Sequence, residues 1–451
     1  FFQNILRMKV KHNKSSQKFP FGAWGAGYFL MQLHVNRVFR LHFHKLVFTG
    51  KENIPQDKPL IYAPTHRNAL MDALILVHEN VKQQVVFLAR ADIFKKPLVI
   101  KILYLFKIMP VYRIRDGKEN LGKNKEIFVQ CGEILKNGNP LCLFPEARFN
   151  PHQNLLPLQK AIPRIALPTE AETGFTLDTH IVPVAFYYTA KDRFLSDLYV
   201  TYGKPVRVAD YKELYLTDEN QAINKLRNDL DDRLRQYVVD IPEEDYGEIS
   251  ALIDVNANDL AGKSYPEKDG IVHASQEIIR RIKALKESNP QAYTDKITAV
   301  QNALQLLKSH GLTSKDPITR PKGYLGIFAR ALPMVATAPL ALAGLLNTIF
   351  PILIYKKLLS VVKDKQFISS IRLVTGIFAV PILYLLQFAL VGLIGGSWLW
   401  ALTYLLASPV VFYFGCWWRK EWKEILRMEE VRQFVKEKKD VWEKVLNAFE
   451  V

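Results

Sequence analysis

The chain has 451 residues, which exceeds one average domain and suggests two or three units that each bury a core. Its 61 Lys and Arg exceed its 44 Asp and Glu by 17, which favours an anionic partner such as a lipid surface, a phosphorylated substrate or a nucleic acid. Nucleic acid is the weakest of these because no zinc-finger spacing, basic-region heptad or RNP-like motif occurs, and three cysteines without CxxC spacing exclude a disulfide framework.

The first predicted element is an uncharged, aromatic-rich segment at residues 19–33. At about 15 residues it is shorter than the roughly 20 that an α-helix needs to span a bilayer. We therefore predict N-terminal interfacial membrane helices over residues 1–45. A core helix of a soluble domain is the alternative.

Short apolar, β-rich runs alternate with longer helical stretches from residue 46 to residue 217. This alternation predicts an α/β fold with helices on the faces of a sheet. In such sheets the functional site lies where loops leave the strands. The predicted strands cover residues 46–49, 60–63, 85–89, 108–111, 141–144, 181–187 and 198–202.

Residues 218–320 are charged and show no strand signal. Apolar residues recur there at helical spacing, as in residues 223–238 and 278–285. The sequence therefore predicts a helical accessory region.

A membrane domain is predicted over residues 321–418, because this part of the chain is far more apolar than the rest. Its second and third apolar stretches, 373–394 and 398–418, are joined by an uncharged Gly-Gly-Ser turn, and basic residues flank the outer ends of the pair. The positive-inside rule makes these stretches a transmembrane pair with both ends in the cytosol. Residues 419–451 then form a cytosolic helix.

The first apolar stretch, residues 325–355, has basic residues on both sides and contains three prolines. A single crossing would leave one basic flank outside the cytosol. A re-entrant hairpin of two short helices, bent near residues 344–347, would return the chain to the cytosolic side. We predict this hairpin, with one ordinary span as the alternative.

The strongest chemical signal is the sequence APTHRNALMD at residues 63–72, directly after the second predicted strand. A carboxylate one to two helical turns after a histidine can orient the imidazole and leave its other nitrogen free to accept a proton. His66 is therefore a candidate base and Asp72 its partner. A helix-capping histidine beside a solvated aspartate is the alternative.

A second motif, LFPEAR at residues 143–148, also follows an apolar strand. Glu146 and Arg148 would lie beside the His66 loop, where a guanidinium can clamp a phosphate with two hydrogen bonds. Downstream, Lys160 leads into a helix and Pro183 lies in a later strand. Four such elements in this order are hard to obtain by chance.

Over residues 46–206 these motifs resemble the glycerolipid acyltransferase family, the PlsC-like glycerol-3-phosphate and 1-acylglycerol-3-phosphate acyltransferases. The resemblance implies an acyltransferase domain at residues 46–217 with a mixed sheet, and His66 and Asp72 as its catalytic residues. The family's second motif ends in an arginine that contacts the acceptor phosphate, and MPVYR at residues 109–113 looks like it. The substrate-binding residues implied are Arg113, Phe144, Pro145, Glu146, Arg148, Lys160 and Pro183.

The chain departs from the family pattern at three points. Five residues rather than four separate His66 from Asp72, so Met71 stands where the family has its aspartate. Lys107 replaces the glycine that the family has before the segment MPVYR, and Ala147 replaces the glycine that follows Phe-Pro-Glu in the family's counterpart of LFPEAR. The resemblance does not cover the membrane domain.

We therefore expect an integral membrane O-acyltransferase of phospholipid synthesis, with its catalytic domain on the cytosolic face. It would transfer a fatty acyl group from acyl-CoA or acyl-carrier protein to a lysophosphatidic acid-type acceptor. Because a thioester is already activated, the chemistry needs a base and a positioned acceptor but no metal or redox cofactor.

Other functions stay open. Glycerol-3-phosphate or another lysophospholipid is the alternative acceptor, and a catalytically silent membrane scaffold is the alternative to an enzyme. A hydrolase is disfavoured because no GxSxG sequence occurs. The expected partners are membrane lipids, the thioester donor and a glycerol-phosphate-type acceptor, without a nucleic acid.

Overall fold

The computed structural model describes residues 25–79, 84–112, 122–316, 323–362 and 367–450. This part of the chain contains an eight-stranded mixed sheet in the order β1-β7-β6-β2-β5-β3-β4, with β8 paired to β6. Each of the seven predicted strands is present within two residues of its predicted ends, and the predicted α/β fold class is confirmed. The strands are β1 (Lys45–Thr49), β2 (Leu60–Pro64), β3 (Val86–Arg90), β4 (Ile108–Val111), β5 (Leu141–Cys142), β6 (His180–Tyr188), β7 (Asp197–Tyr202) and β8 (Val206–Arg207).

The centre of the sheet is parallel and buried on both faces. β2 pairs in parallel with β5 on one side and with β6 on the other, whereas β6 pairs antiparallel with β7 and β8. The carboxyl ends of β2 and β5 therefore meet at one edge, which brings together the loops that follow them. Burial on both faces explains why these strands are continuous apolar runs in the sequence.

Helices cover both faces of this sheet. Val35 of α1 and Ile75 of α2 pack in one cluster with Tyr62 of β2. Leu230 of α7 packs in another cluster with Ile61, so α7 belongs to the sheet although the sequence assigned it to the accessory region. These helices are α1 (Ala26–His42), α2 (Ala69–Glu79), α3 (Pro97–Leu105), α4 (Lys123–Lys136), α5 (Ala161–Glu172), α6 (Lys212–Thr217) and α7 (Glu219–Arg235).

The accessory region contains α8 (Tyr246–Ser264), α9 (Gly270–Ser288) and α10 (Pro290–Ser309). An Asn-Pro pair starts α10: the Asn289 side chain accepts a hydrogen bond from the Ala292 amide at 3.1 Å, and proline takes the first helical position. Val445 and Phe449 of the final helix, α16 (Lys439–Phe449), are buried in the core of this region.

Two helices of the predicted membrane domain, α14 (Ile368–Gly395) and α15 (Trp398–Glu437), are long and apolar enough to cross a bilayer. A turn joins them in which Gly396 has a φ of 63°, a conformation that favours glycine. α15 continues without a break beyond the apolar stretch. Part of the first apolar stretch is bent by 71° at Thr337, between α11 (Tyr324–Ala336) and α12 (Ala338–Asn347).

The 71° bend thus lies earlier in the chain than the predicted position, and the predicted residues 344–347 form the last turn of α12. Pro339, in the first turn of α12, lacks the amide that would continue the hydrogen bonding of α11. A second break follows at Thr348, before α13 (Ile349–Val361). α11 and α12 together are either a broken span or a re-entrant loop.

Candidate active site

His66 and Asp72 are in direct contact at the carboxyl end of β2. The His66 Nδ1 lies 3.1 Å from the Asp72 Oδ2. The carboxylate is fully buried, whereas the His66 side chain is 20% exposed. When Nδ1–H donates to Asp72, the other ring nitrogen, Nε2, carries the lone pair that can accept a proton.

The backbone around Asp72 explains how the chain accommodates one more residue than the family spacing. Ala69 has a φ of 41°, and Met71 turns into the core with no exposed surface. Asp72 rather than Met71 thus faces the histidine. Its Oδ2 also accepts hydrogen bonds from the backbone amides of Arg67 and Asn68, each at 2.7 Å.

Tyr188, which the sequence analysis missed, completes the environment of Asp72. Its hydroxyl donates to the Asp72 Oδ1 at 2.7 Å. Burial and the nearby carboxylate raise the pKa of Tyr188 well above its usual value, so the hydroxyl keeps its proton. The one signal in the sequence was a tyrosine at the end of an apolar strand.

Glu146 connects the two motif loops. Its Oε1 accepts from the His66 amide at 2.9 Å and its Oε2 from the Leu156 amide at 3.1 Å. Burial raises the pKa of this carboxyl, while Arg67 and the two amide bonds oppose that shift. The contacts of Glu146 are thus with the protein, and its contact with an acceptor hydroxyl stays a prediction.

Arg67 is buried behind the histidine loop and donates hydrogen bonds to the chain segment that follows LFPEAR. Its Nη1 lies 3.9 Å from the Glu146 Oε2 and donates to the carbonyl oxygen of His152 at 2.9 Å and to that of Asn154. Burial lowers the pKa of Arg67, and the charge of Glu146 acts in the opposite direction. Removing either member of such a buried pair leaves an uncompensated charge.

Two phenylalanine rings lie beside the imidazole of His66. The Phe144 ring centre is 4.2 Å from that of His66 with a 30° tilt, and Phe149 meets it edge-on at 6.2 Å. This apolar contact fixes the ring plane and limits access of water to it.

The other predicted site residues are placed differently. Arg148 is exposed. Lys160 directly precedes α5. The neighbouring Gln159 amide donates to the Pro145 carbonyl at 2.8 Å, which places Lys160 near the LFPEAR loop. Pro183 is buried in β6 opposite Ala63, where its missing amide falls between the β8 and β7 pairings. Arg113 lies outside the described residues.

The two positions that lack a family glycine keep a backbone that suits glycine. Lys107 has a φ of 55° and Ala147 has a φ of 54°. A residue with a side chain in this left-handed region costs roughly 1–2 kcal/mol. Lys107 and Ala147 are therefore strained at these turns.

Comparisons with known proteins point in the same direction as the motifs. Residues 45–187 match the family model described as Acyltransferase. The chain is 25% identical over 123 residues to "Glycerol-3-phosphate O-acyltransferase 2" of Saccharomyces cerevisiae. The matched region covers 27% of this chain and only 16% of the yeast protein.

A solved structure, the 1-acyl-sn-glycerophosphate (LPA) acyltransferase PlsC from Thermotoga maritima, is 20% identical with a TM-score of 0.34, covering 52% of this chain and 85% of that one. The family match spans both motif loops and the strands that carry them. Residues 45–187 of the chain therefore form an acyltransferase domain that resembles those of the glycerolipid acyltransferases.

Proposed function

We propose that the chain is a membrane-bound enzyme that transfers a fatty acyl group from an acyl thioester to the hydroxyl of a lysophosphatidic acid-type acceptor. The observation that carries this proposal is the contact between His66 and the buried Asp72 within the acyltransferase domain. The two apolar helices α14 and α15 support membrane attachment.

In the proposed mechanism, His66 Nε2 takes the proton from the acceptor hydroxyl while its oxygen attacks the thioester carbonyl. The tetrahedral intermediate then collapses, the carbon–sulfur bond breaks, and the imidazolium returns the proton to the thiolate. Asp72 stabilises the imidazolium by its charge and keeps the ring oriented. The reaction needs no metal or redox cofactor, because the thioester is already activated.

Substrate binding is assigned to basic side chains that the sequence motifs indicate. Arg113, Arg148 and Lys160 would hold the phosphate of the acceptor, which fits the excess of basic residues in the chain. The donor is either acyl-CoA or acyl-carrier protein. Glycerol-3-phosphate is the second candidate acceptor, because the yeast relative bears that name.

The acyltransferase domain is proposed to face the cytosol. Basic residues flank the outer ends of the α14–α15 pair, whereas the connecting turn is uncharged. The positive-inside rule then gives the cytosolic side for both ends.

One assay tests the proposal. Purified full-length protein would be given a labelled acyl thioester with lysophosphatidic acid, glycerol-3-phosphate or another lysophospholipid in turn, with His66→Ala as the control. We expect the fastest transfer to lysophosphatidic acid and none in the variant. Absence of transfer to every acceptor would favour the scaffold, and equal rates in the variant would reject His66 as the base.

A further inference from the structure

A polar cavity lies between the carboxyl end of β6 and helix α8 of the accessory region. Arg67 and Tyr188 line it on the side of the acyltransferase domain, and Tyr246 and Asp254 line it on the side of α8. Its volume is about 150 Å³. A single buried water needs about 10–15 Å³, and sites for drug-sized molecules have roughly 300–1,000 Å³. The cavity therefore suits a small ion or one phosphate group rather than a whole lipid.

Within the described part of the chain, three cations and one carboxylate line this cavity. The cations are Arg67, Lys191 and Lys315, and the carboxylate is that of Asp254. Burial lowers the pKa of Lys191, and the charges of Arg67 and Lys315 lower it further, while two nearby aspartates act in the opposite direction. An anion held between the cations would relieve their mutual repulsion.

The carboxylate of Asp254 offsets only part of this positive charge. The Ser314 hydroxyl donates to its Oδ2 at 2.9 Å. Burial raises the pKa of Asp254, whereas Lys315 and the Ser314 hydrogen bond oppose that shift. One carboxylate against three cations leaves the wall of the cavity positive, so the cavity favours an anion over a cation.

The guanidinium of Arg67 has two donors that the protein does not use. Its side chain is 3% exposed, with Glu146 at 3.9 Å from Nη1, and Nη1 donates to two backbone carbonyls. The Nε and Nη2 atoms have no hydrogen-bond partner among the described residues. These two nitrogens form the edge with which a guanidinium binds an oxyanion through two parallel hydrogen bonds, and Arg90 holds the Asp92 carboxylate with the same edge.

The loop that carries Lys191 is connected to the histidine loop. The Lys191 ammonium lies 5.3 Å from the centre of the Phe149 ring, which also meets the imidazole of His66, and donates to the Pro151 carbonyl at 2.6 Å. The Lys191 carbonyl accepts a hydrogen bond from the Asn68 side chain at 3.2 Å. An ion bound by Lys191 would therefore hold the loop after β6 against the residues that follow His66.

We propose that Arg67, Lys191 and Lys315 form a binding site for a phosphate group, built from residues other than those assigned to the acceptor phosphate. The Nε and Nη2 of Arg67 would hold two phosphate oxygens, and the Lys191 ammonium would contact a third. Lys315 is exposed, so the ligand enters from solvent past this side chain. The phosphate belongs either to a soluble molecule or to a lipid headgroup, since both present the same oxygens.

Equilibrium dialysis with radiolabelled inorganic phosphate tests this site without any measurement of transfer. Purified full-length protein carrying Arg113→Ala is the starting protein, because that substitution weakens the proposed acceptor site. Lys191→Met and Lys315→Met each remove one charge and keep an unbranched side chain, whereas Lys191→Arg keeps the charge. The matched control is Lys308→Met, an exposed lysine of α10 that does not line the cavity.

We expect one phosphate of the starting protein to be bound about 10-fold more weakly in Lys191→Met and in Lys315→Met, because each variant loses a charge-assisted contact. Lys191→Arg and Lys308→Met should bind like the starting protein. Displacement of this phosphate by dihexanoyl phosphatidic acid would support a headgroup as the ligand, and displacement by coenzyme A would support a soluble phosphate ester.

Two results would overturn the proposal. If the starting protein binds no phosphate, the cavity holds water only. If Lys191→Met and Lys315→Met bind phosphate like Lys308→Met, the phosphate lies elsewhere. Neither result depends on the role of Arg113 or on the acceptor, because the comparison is between proteins that share the same substitution at position 113.

Discussion

The Tyr188 hydroxyl lies 2.7 Å from the Asp72 Oδ1, on the side of the carboxylate opposite to His66. Both Asp72 oxygens are thus occupied by donors, and the aspartate has no freedom to turn away from the imidazole. Because Asp72 and Tyr188 are buried, the hydrogen bond between them acts at low local dielectric. Tyr188 therefore positions the proposed catalytic pair, His66 and Asp72.

Tyr188→Phe should lower kcat about 10-fold, because losing a hydrogen bond to a buried charge costs on the order of 1.5 kcal/mol. The KM values for donor and acceptor should stay the same, since no substrate contact is removed. Tyr187→Phe is the matched control: this tyrosine points to the other face of β6, where Ser275 Oγ lies 3.3 Å from its hydroxyl. Equal kcat values in the two variants would remove Tyr188 from the catalytic arrangement.

His66→Ala should abolish transfer and leave the protein folded and membrane-bound, because the imidazole is partly exposed and not required by the core. Asp72→Asn should cost less activity than His66→Ala, since a carboxamide oxygen can still accept from Nδ1 and from the two amides. Steady-state rates with circular dichroism on the same samples check both variants. If Asp72→Asn lost its fold together with its activity, Asp72 would be structural.

Arg113→Ala should raise the acceptor KM about 10- to 150-fold, because charge-assisted bonds to a phosphate contribute roughly 1.5–3 kcal/mol. The donor KM should change little. Arg90→Ala is a suitable control, since its guanidinium at the end of β3 is already paired with Asp92 at 3.0 Å. A larger effect on the donor KM would assign Arg113 to the phosphates of the thioester.

Ala147→Gly should stabilise the protein by about 0.5–1 kcal/mol, because it relieves a left-handed alanine that costs roughly 1–2 kcal/mol while adding the smaller entropic cost of glycine. The Ala147 side chain is exposed, so no packing is lost. Thermal unfolding in detergent measures the change in Tm. Ala147→Val is the opposite control and should lower Tm, since a branched side chain tolerates a φ of 54° worst.

The centre of the sheet could be predicted from sequence because strands such as β2 and β5 are buried and therefore apolar over their whole length. β8 was missed since it has two residues, too few to form a pattern. The contact of His66 with Asp72 could also be predicted, because both residues lie at one strand-to-helix junction and are close in sequence.

The rest of the site depends on contacts between distant parts of the chain. Tyr188 is 116 residues away from Asp72, and no local pattern indicates that its hydroxyl would reach the carboxylate. The family resemblance implies that Glu146 binds substrate, and this role stays a prediction. Its two bonds to backbone amides depend on how the loops pack, which the sequence does not display.

The first apolar stretch of the membrane domain contacts α15 near that helix's basic end. Arg330 pairs with Glu421, and the Trp418 Nε1 donates to the Met334 carbonyl at 3.2 Å. Farther along the stretch, the backbone of Gly344 packs so closely against Val411 that a Cβ would lie 2.1 Å from the Val411 oxygen. None of these contacts is near the Gly396 turn.

The end of this stretch also returns to the acyltransferase domain. The Arg372 Nη2 donates to the Tyr355 hydroxyl at 3.0 Å, while its Nη1 donates to the Asp192 carbonyl at 2.9 Å. Both ends of the stretch thus lie beside the basic ends of α14 and α15. This placement favours the re-entrant hairpin over an ordinary span.

We therefore predict that both flanks of the first stretch lie on the same cytosolic face as the acyltransferase domain, and that only the Gly396 turn reaches the far side. Single cysteines at Lys357 and Ser397, in a background without the three native cysteines, would be treated with an impermeant thiol reagent on intact cells. Lys357 is exposed and lies close to the contact of Tyr355 with Arg372, at the cytosolic end of α14 in this topology. A cysteine at position 357 should therefore not react with the reagent on intact cells and should react only after permeabilisation. Ser397 caps the start of α15 and should react in intact cells. Labelling at 357 from outside would show that the stretch crosses the membrane once, since a single crossing exchanges the sides of its two basic flanks.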